Sequence, residues 1–488
     1  MNYSKFNFIL LLSIFLFGLQ SCSEEEDVST EILITEDLRI QGGDNGTRDR
    51  PSNDDTRDNP NKPDNGATVA QQLITQWLDL YLEIDRYAYG MRPTSTARAL
   101  AYIHLAGYET MLPSMNGYMS NSRNLPGFRI ENNDKGQVNY RIALNACYAD
   151  VYQHFMLNVP ARFTTQIEAL ESEFNNTLSN NVSDQVIENS KQWGAKVATS
   201  IIAYSQTDEI AEGQIYDPQP TTYVPPTGEG YWTFSAEPER ALFPYWGSVR
   251  TFVISPEQTS SLPPIAYSAD PQSAYYVQMK EVQVANDEAK AADGEELWIA
   301  EFWSDDVEGL MFSPPARQVS IAKQLIARNN LRIEESLHLL LKIGFALNDA
   351  AVSSWDDKYE HMVMRPSVFI QNFLDPNYQS NLYRLIPWTN PSFPAYPSGH
   401  STFASAAGGV FINFFGNEID FTDRSHAGRT EFRGSPRGFD SFEAMAEENG
   451  YSRLPLGVHM EMDCAEGLRL GYEISDAVNE YSVKRERT

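Results

Sequence analysis

From residue 69 to residue 483 the apolar positions recur mostly at helical spacing and almost nowhere alternate as half-buried strands do. Leu73, Trp77, Leu80 and Leu82 open the pattern, and the four- and three-residue steps from Leu73 to Trp77 to Leu80 mark one face of a helix. Segments 97–111, 140–157, 184–205, 285–302 and 316–327 continue it. Segment 333–355 is apolar on nearly every face, which predicts a helix buried all round at the centre of the fold. Segment 401–415 is rich in Ala, Ser and Gly and predicts a helix packed closely on its neighbours. The stretch 217–264 carries many Pro, Gly, Tyr and Trp residues, the composition of long covering loops. No short repeat of fixed period is present. The pattern predicts an all-α fold of helical bundles, with any site in the core of the C-terminal one.

The N-terminal residues break that pattern. Lys5 is followed by an apolar run over residues 8–19, too short to span a membrane and expected to act as an export signal. Its end, Leu19-Gln20-Ser21-Cys22, resembles a bacterial lipoprotein signal with Cys22 as the lipidated residue. The acidic Ser23-Glu24-Glu25-Glu26-Asp27 is similar to stretches that route some Gram-negative lipoproteins to the cell surface. Residues 22–67 are rich in Asp, Asn, Gly and Pro, and such a segment buries too little apolar area to fold alone. The expected organisation is a signal at 1–21, a polar linker at 22–67, a helical region with covering loops at 68–330 and a catalytic bundle at 331–488. The body is expected to be soluble and held to the outer membrane, on its periplasmic or cell-surface side, through the lipid alone. After residue 21 no apolar run reaches spanning length.

Composition narrows the partners. The formal net charge of −29 argues against nucleic acid, whose phosphates require clustered Lys and Arg. It does not argue against small anions, because a few local cations dominate the potential inside a cleft. With Cys22 assigned to lipid, only Cys147 and Cys464 remain. Two cysteines in so long a chain are expected to be buried small residues rather than a disulfide framework or a metal site.

Three short strings in the last third carry the candidate chemistry. Lys358 and Arg365 lie seven residues, about two helical turns, apart, so both can face one way. Pro397-Ser398-Gly399-His400 opens the predicted helix 401–415. There Gly399 lets the backbone approach an anion, the helix N-terminus offers free N–H groups, Ser398 can donate a hydroxyl and His400 can move protons. Ser452-Arg453 precedes His459 and Asp463. A helix is expected to carry both His459 and Asp463, the carboxylate holding one imidazole nitrogen and leaving the other free. Each string alone is weak. Together they form a cradle for a tetrahedral or trigonal-bipyramidal oxyanion.

The ordered set resembles the signature of the superfamily that joins vanadium-dependent haloperoxidases with type 2 phosphatidic-acid phosphatases and bacterial acid phosphatases. The flanks are similar to the haloperoxidase branch: Arg92-Pro93 with 97–101, Phe302-Trp303-Ser304-Asp305, Trp355-Asp356-Asp357-Lys358 and Phe393-Pro394-Ala395-Tyr396. The resemblance implies that Lys358, Arg365, Ser398, Gly399 and Arg453 hold the oxyanion oxygens. It implies that His459 binds vanadium, that His400 moves protons and that Lys358 polarises peroxide. Asp463, Trp355 and Phe393 would support them from behind. The implied cofactor is vanadate, and the implied reaction takes hydrogen peroxide and halide to hypohalous acid. The alternative within the superfamily is an acid phosphatase without cofactor, in which His459 attacks a phosphate ester to form a phosphohistidine. Phe393 stands where algal bromoperoxidases of the family tend to carry a further His and where the fungal chloroperoxidase type has Phe, which leans away from the algal type.

Overall fold

The computed structural model of the protein describes residues 65–131, 136–235, 238–385 and 390–485. The expected signal, Cys22 and nearly all of the expected linker lie outside them. The chain opens with α1 (Asn65–Asp85), α2 (Thr94–Met111), α3 (Tyr140–Phe155), α4 (Arg162–Leu178), α5 (Asp184–Gln206) and α6 (Glu209–Tyr216). After a long irregular stretch come α7 (Ala274–Ala292), α8 (Glu295–Phe302), α9 (Pro314–Arg328), α10 (Ile333–His361) and α11 (Pro366–Phe373). The C-terminal part adds α12 (Gly399–Phe415), strands β1 (Glu418–Asp423) and β2 (Arg437–Ser441), α13 (Phe442–Tyr451), α14 (Arg453–Leu456) and α15 (Glu461–Glu480). The fold is all-α, as the periodicity predicts. The two strands form one antiparallel hairpin, with Phe421 opposite Phe439. No helix among the described residues is long and apolar enough to cross a membrane.

Helix α10 is the axis of the molecule. It is buried from Ser336 through Trp355 without a break, and its 29 residues span about 44 Å at 1.5 Å per residue. It packs against α2, α9, α12 and α15, and the apolar core around it runs from Leu73 to Val483. Close approach explains Gly344, where a Cβ would sit 3.0 Å from the Ala101 Cα in α2. The Ala, Ser and Gly residues of α12 do the same against α15. A Cβ on Gly409 would fall 2.0 Å from Ser475 Oγ, and one on Gly471 would fall 2.4 Å from the Thr402 carbonyl.

The described residues of 217–264 contain no α-helix or strand, only one 3-10 turn at Trp246–Ser248. Buried acids of α10 hold them in place. Asp349 accepts backbone N–H bonds from Phe252 (2.8 Å), Val253 (2.8 Å) and Ile254 (3.0 Å), and Asp357 accepts one from Ser261 at 2.8 Å. One expected element is corrected. The segment 285–302 is not a single helix: Asp293 at φ 48° ends α7 and Gly294 starts α8. Cys147 and Cys464 are buried free thiols.

Candidate active site

The first string sits at the end of the central helix. Lys358 lies in the last turn of α10, which Met362 stops in the left-handed conformation (φ 52°). Arg365 then caps α11, with Pro366 at the first helical position, where a missing N–H costs nothing. The two side chains converge on one carbonyl. Lys358 Nζ donates to Pro394 O at 3.2 Å and to Ala395 O at 2.8 Å, and also to the Pro397 carbonyl. Arg365 donates to Pro394 O at 3.3 Å, Phe393 O at 3.0 Å and Val458 O at 3.2 Å. Beside them the Trp355 and Phe393 rings lie tilted at 49° with centroids 4.7 Å apart. Lys358 Nζ lies 5.6 Å from the Trp355 ring and 5.3 Å from Phe393, and the Arg365 guanidinium lies 5.1 Å from Phe393, all within cation–π range.

The second string caps α12. Ser398 Oγ accepts the Ser401 N–H at 3.4 Å, which leaves its own O–H available to donate. Its backbone N–H donates to the Asp463 carbonyl at 2.8 Å, tying the turn to the start of α15. Gly399 is a glycine because a Cβ there would lie 3.3 Å from the Trp355 ring. His400 Nε2 is 3.0 Å from the Ser304 carbonyl. A carbonyl only accepts, so Nε2 carries the proton and Nδ1 keeps the lone pair. Burial, then Arg453, pushes the His400 pKa down to about 4.

The third string corrects the expected placement of His459. Gly457, at φ 86°, ends α14, and α15 starts only at Glu461. His459 therefore lies in the extended link between two helices, not on a helical face. Asp463 still serves it. One carboxylate oxygen, Oδ2, accepts His459 Nδ1–H at 3.0 Å and the Met460 N–H at 3.0 Å. That fixes the tautomer and leaves Nε2 as a lone pair, 3.2 Å from Arg365 Nη1. Burial, followed by Arg365, Lys358 and Arg453, holds the His459 pKa well below its ordinary value.

Charge is concentrated here without full compensation. Lys358, Arg365 and Arg453 are essentially inaccessible to solvent. Burial and mutual repulsion lower the Lys358 pKa, and burial leads the causes that bring Arg365 down to about 10. A neutral imidazole nitrogen ringed by three cations repels a bare metal cation and fits an oxyanion whose central atom accepts that nitrogen. A cavity of about 260 Å³ opens onto this point. Gly399, His400, Arg453, His459, Trp355 and Phe393 reach its surface, while Lys358, Arg365 and Ser398 stand behind the wall.

Asp306 is the site residue that the sequence did not single out. Its Oδ2 pairs with Arg453 Nη2 at 2.7 Å, and its Oδ1 is 3.9 Å from His400 Nε2. The only signal was its position directly after Phe302-Trp303-Ser304-Asp305, a string that carried no assigned role.

Comparison with known proteins agrees with the resemblance to the vanadium haloperoxidases. Residues 338–485 match the family model VCPO second helical-bundle domain. Vanadium chloroperoxidase of Curvularia inaequalis is 23% identical over 282 residues, 46% of this chain. The match spans about half, 46%, of that relative's length. Among solved structures, a bacterial vanadium-dependent iodoperoxidase aligns with a TM-score of 0.76 and 25% identity, over 86% of this chain and 98% of that one. A bacterial vanadium-dependent chloroperoxidase in its holo form shares the fold, with a TM-score of 0.60 and 17% identity over 80% of this chain and 92% of its own.

Proposed function

From a chain whose residues 338–485 match the second helical bundle of the vanadium chloroperoxidases, we propose a vanadate-dependent haloperoxidase that oxidises halide with hydrogen peroxide to hypohalous acid. One observation carries the reading: the unprotonated Nε2 of neutral His459, fixed by Asp463, facing Arg365 Nη1 and ringed by Lys358, Arg365 and Arg453. The names of the curated chloroperoxidase and the solved iodoperoxidase support halide oxidation over ester hydrolysis.

Vanadate, when bound, supplies a Lewis acid that activates peroxide without changing oxidation state. The residues do the rest. His459 Nε2 would hold the central atom. The three cations neutralise the oxygens, and the Ser398 hydroxyl with the free N–H groups at the start of α12 adds donors. His400 Nδ1, its partner nitrogen held on the Ser304 carbonyl, is placed to accept and return a proton at the peroxide. Trp355 and Phe393, which line the cavity, lie within cation–π range of the ammonium and guanidinium and keep them aimed.

The test is purified protein with and without orthovanadate, assayed for peroxide-dependent oxidation of chloride, bromide and iodide beside phosphate-ester hydrolysis. Halide oxidation that depends on vanadate is expected. Ester hydrolysis that vanadate inhibits, with no halide oxidation, would overturn the reading. Two variants separate the histidines. His459→Ala should lose vanadate in equilibrium dialysis and lose turnover with it. His400→Ala should keep vanadate while its rate falls by about 10²–10⁴, the usual worth of a positioned acid–base group. Equal loss of vanadate in both variants would refute the division of roles.

A further inference from the structure

A second buried cluster lies next to the site and takes no part in the proposed chemistry. Arg317 of α9, Asp305 and His426 are all fully inaccessible to solvent. Arg317 grips Asp305 with both edges of its fork, Nε to Oδ2 at 3.1 Å and Nη2 to Oδ1 at 3.0 Å, and reaches Asp423 at 3.1 Å and the Phe302 carbonyl with its remaining donors. His426, from the loop between β1 and β2, places Nε2 against Arg317 Nη2 and 3.5 Å from Asp305 Oδ1. Its ring stacks on Phe312 at 5.1 Å.

Asp305 follows Ser304, whose carbonyl receives His400 Nε2 at 3.0 Å and Arg453 Nη1 at 3.3 Å. Asp305 also sits at φ 43°, a left-handed backbone that a non-glycine residue keeps only where its surroundings over-determine it. Its own carbonyl accepts Arg92 Nη2 at 2.9 Å. The short segment 303–306 is thus pinned on one side by Arg317 and Arg92 and presents a carbonyl to His400 and Arg453 on the other. We infer that Asp305, Arg317 and His426 form a positioning cluster that fixes the Ser304 carbonyl and thereby the tautomer of His400.

The mechanism is geometric. A neutral imidazole carries its proton on whichever nitrogen has an acceptor. If the Ser304 carbonyl drifts out of reach, Nε2 loses its acceptor, the proton exchanges between the ring nitrogens, and Nδ1 is a base only part of the time. The cluster touches no substrate and acts through that carbonyl alone. Its effect on turnover rests on the haloperoxidase reading of His400; its effect on the tautomer does not.

Asp305→Asn is the direct test, because Asn tolerates left-handed backbone as Asp does and what is lost is the charge that Asp305 presents to Arg317 and His426. His426→Gln is the second variant and decides the matter if Asp305→Asn fails to fold. The readout is the ring ¹⁵N resonances of labelled histidine, with the His400 signals among the seven histidines assigned from their absence in His400→Gln. Wild-type protein should show His400 as the Nε2–H tautomer alone. Both variants should show a mixture, with kcat lowered by about tenfold, a fraction of what general acid–base help is typically worth, and vanadate retained. A folded variant that keeps the single Nε2–H tautomer and an unchanged kcat would overturn the inference. Mixed tautomers in the variants of a protein with no halide oxidation would sustain the cluster and remove the proposed activity.

Discussion

Burial and the neighbouring guanidinium groups keep His400 and His459 uncharged, so a bound dianion is the natural force that would favour their protonation. For His400 the sign can be worked out. Its pKa in the ligand-free protein is about 4, lowered by burial and then by Arg453, with Asp306 and Asp305 acting the other way. An anion beside the ring raises that value, and by linkage the protonated protein then binds the anion more tightly. Sulfate is tetrahedral and holds its charge across the range of interest, so it reports the protein's protons and not its own. Its affinity should rise as pH falls from 7 to 5, by up to about tenfold per unit for one linked proton. His400→Gln should flatten the slope. Asp463, pushed up to about 6 by burial, and His459 remain in that variant, so any slope left measures those two groups. An affinity independent of pH in the wild-type protein would show that His400 does not face the anion.

At the scale of elements, what was legible in the sequence was the signal carried by side-chain spacing. The all-round apolar run of α10, the small-residue face of α12 and the first two strings of site residues lie where pattern and spacing put them. What the sequence did not show was set by backbone turns and by distant partners. The break at Asp293, the loop position of His459 beyond Gly457 and the Asp306–Arg453 pair depend on left-handed residues and on contacts about 150 positions apart. Helices α4 and α6 and the β1–β2 hairpin also went unpredicted. The glycines of the α12–α15 seam test the packing. A Cβ on Gly467 would fall 2.5 Å from the Ser398 carbonyl, whereas one on Gly408, which lies outside the seam and faces α13, would rest 3.6 Å from Ala446 Cβ, an ordinary contact. Gly467→Ala should cost about 1–3 kcal/mol through overpacking and weaken oxyanion binding, because the displaced backbone belongs to the Pro-Ser-Gly-His turn. Gly408→Ala should be neutral or stabilise by up to about 1 kcal/mol from helix propensity, with binding unchanged. Thermal denaturation and vanadate dialysis on both variants check this, and equal losses in the two would refute the role of the seam.

The whole molecule combines a strongly acidic chain with three buried cations at one point. The global charge of −29 opposes anions at long range, while the site charges act inside a cavity walled by low-dielectric side chains, where their potential is focused. The chain is therefore suited to hold its oxyanion tightly and to exclude polyanions. Its place in the cell depends on the N-terminal residues. We propose that Cys22, which follows the short apolar run at 8–19, is lipidated and holds the folded body to the outer membrane through acyl chains alone. In cells given labelled palmitate, the wild-type chain should take up label and sediment with membranes. Cys22→Ser should abolish the label and release a protein that keeps its vanadate binding, because the site residues lie from 304 onward. Membrane attachment that survives in the unlabelled variant would refute the lipid anchor, and loss of vanadate binding on release would refute the independence of body and anchor.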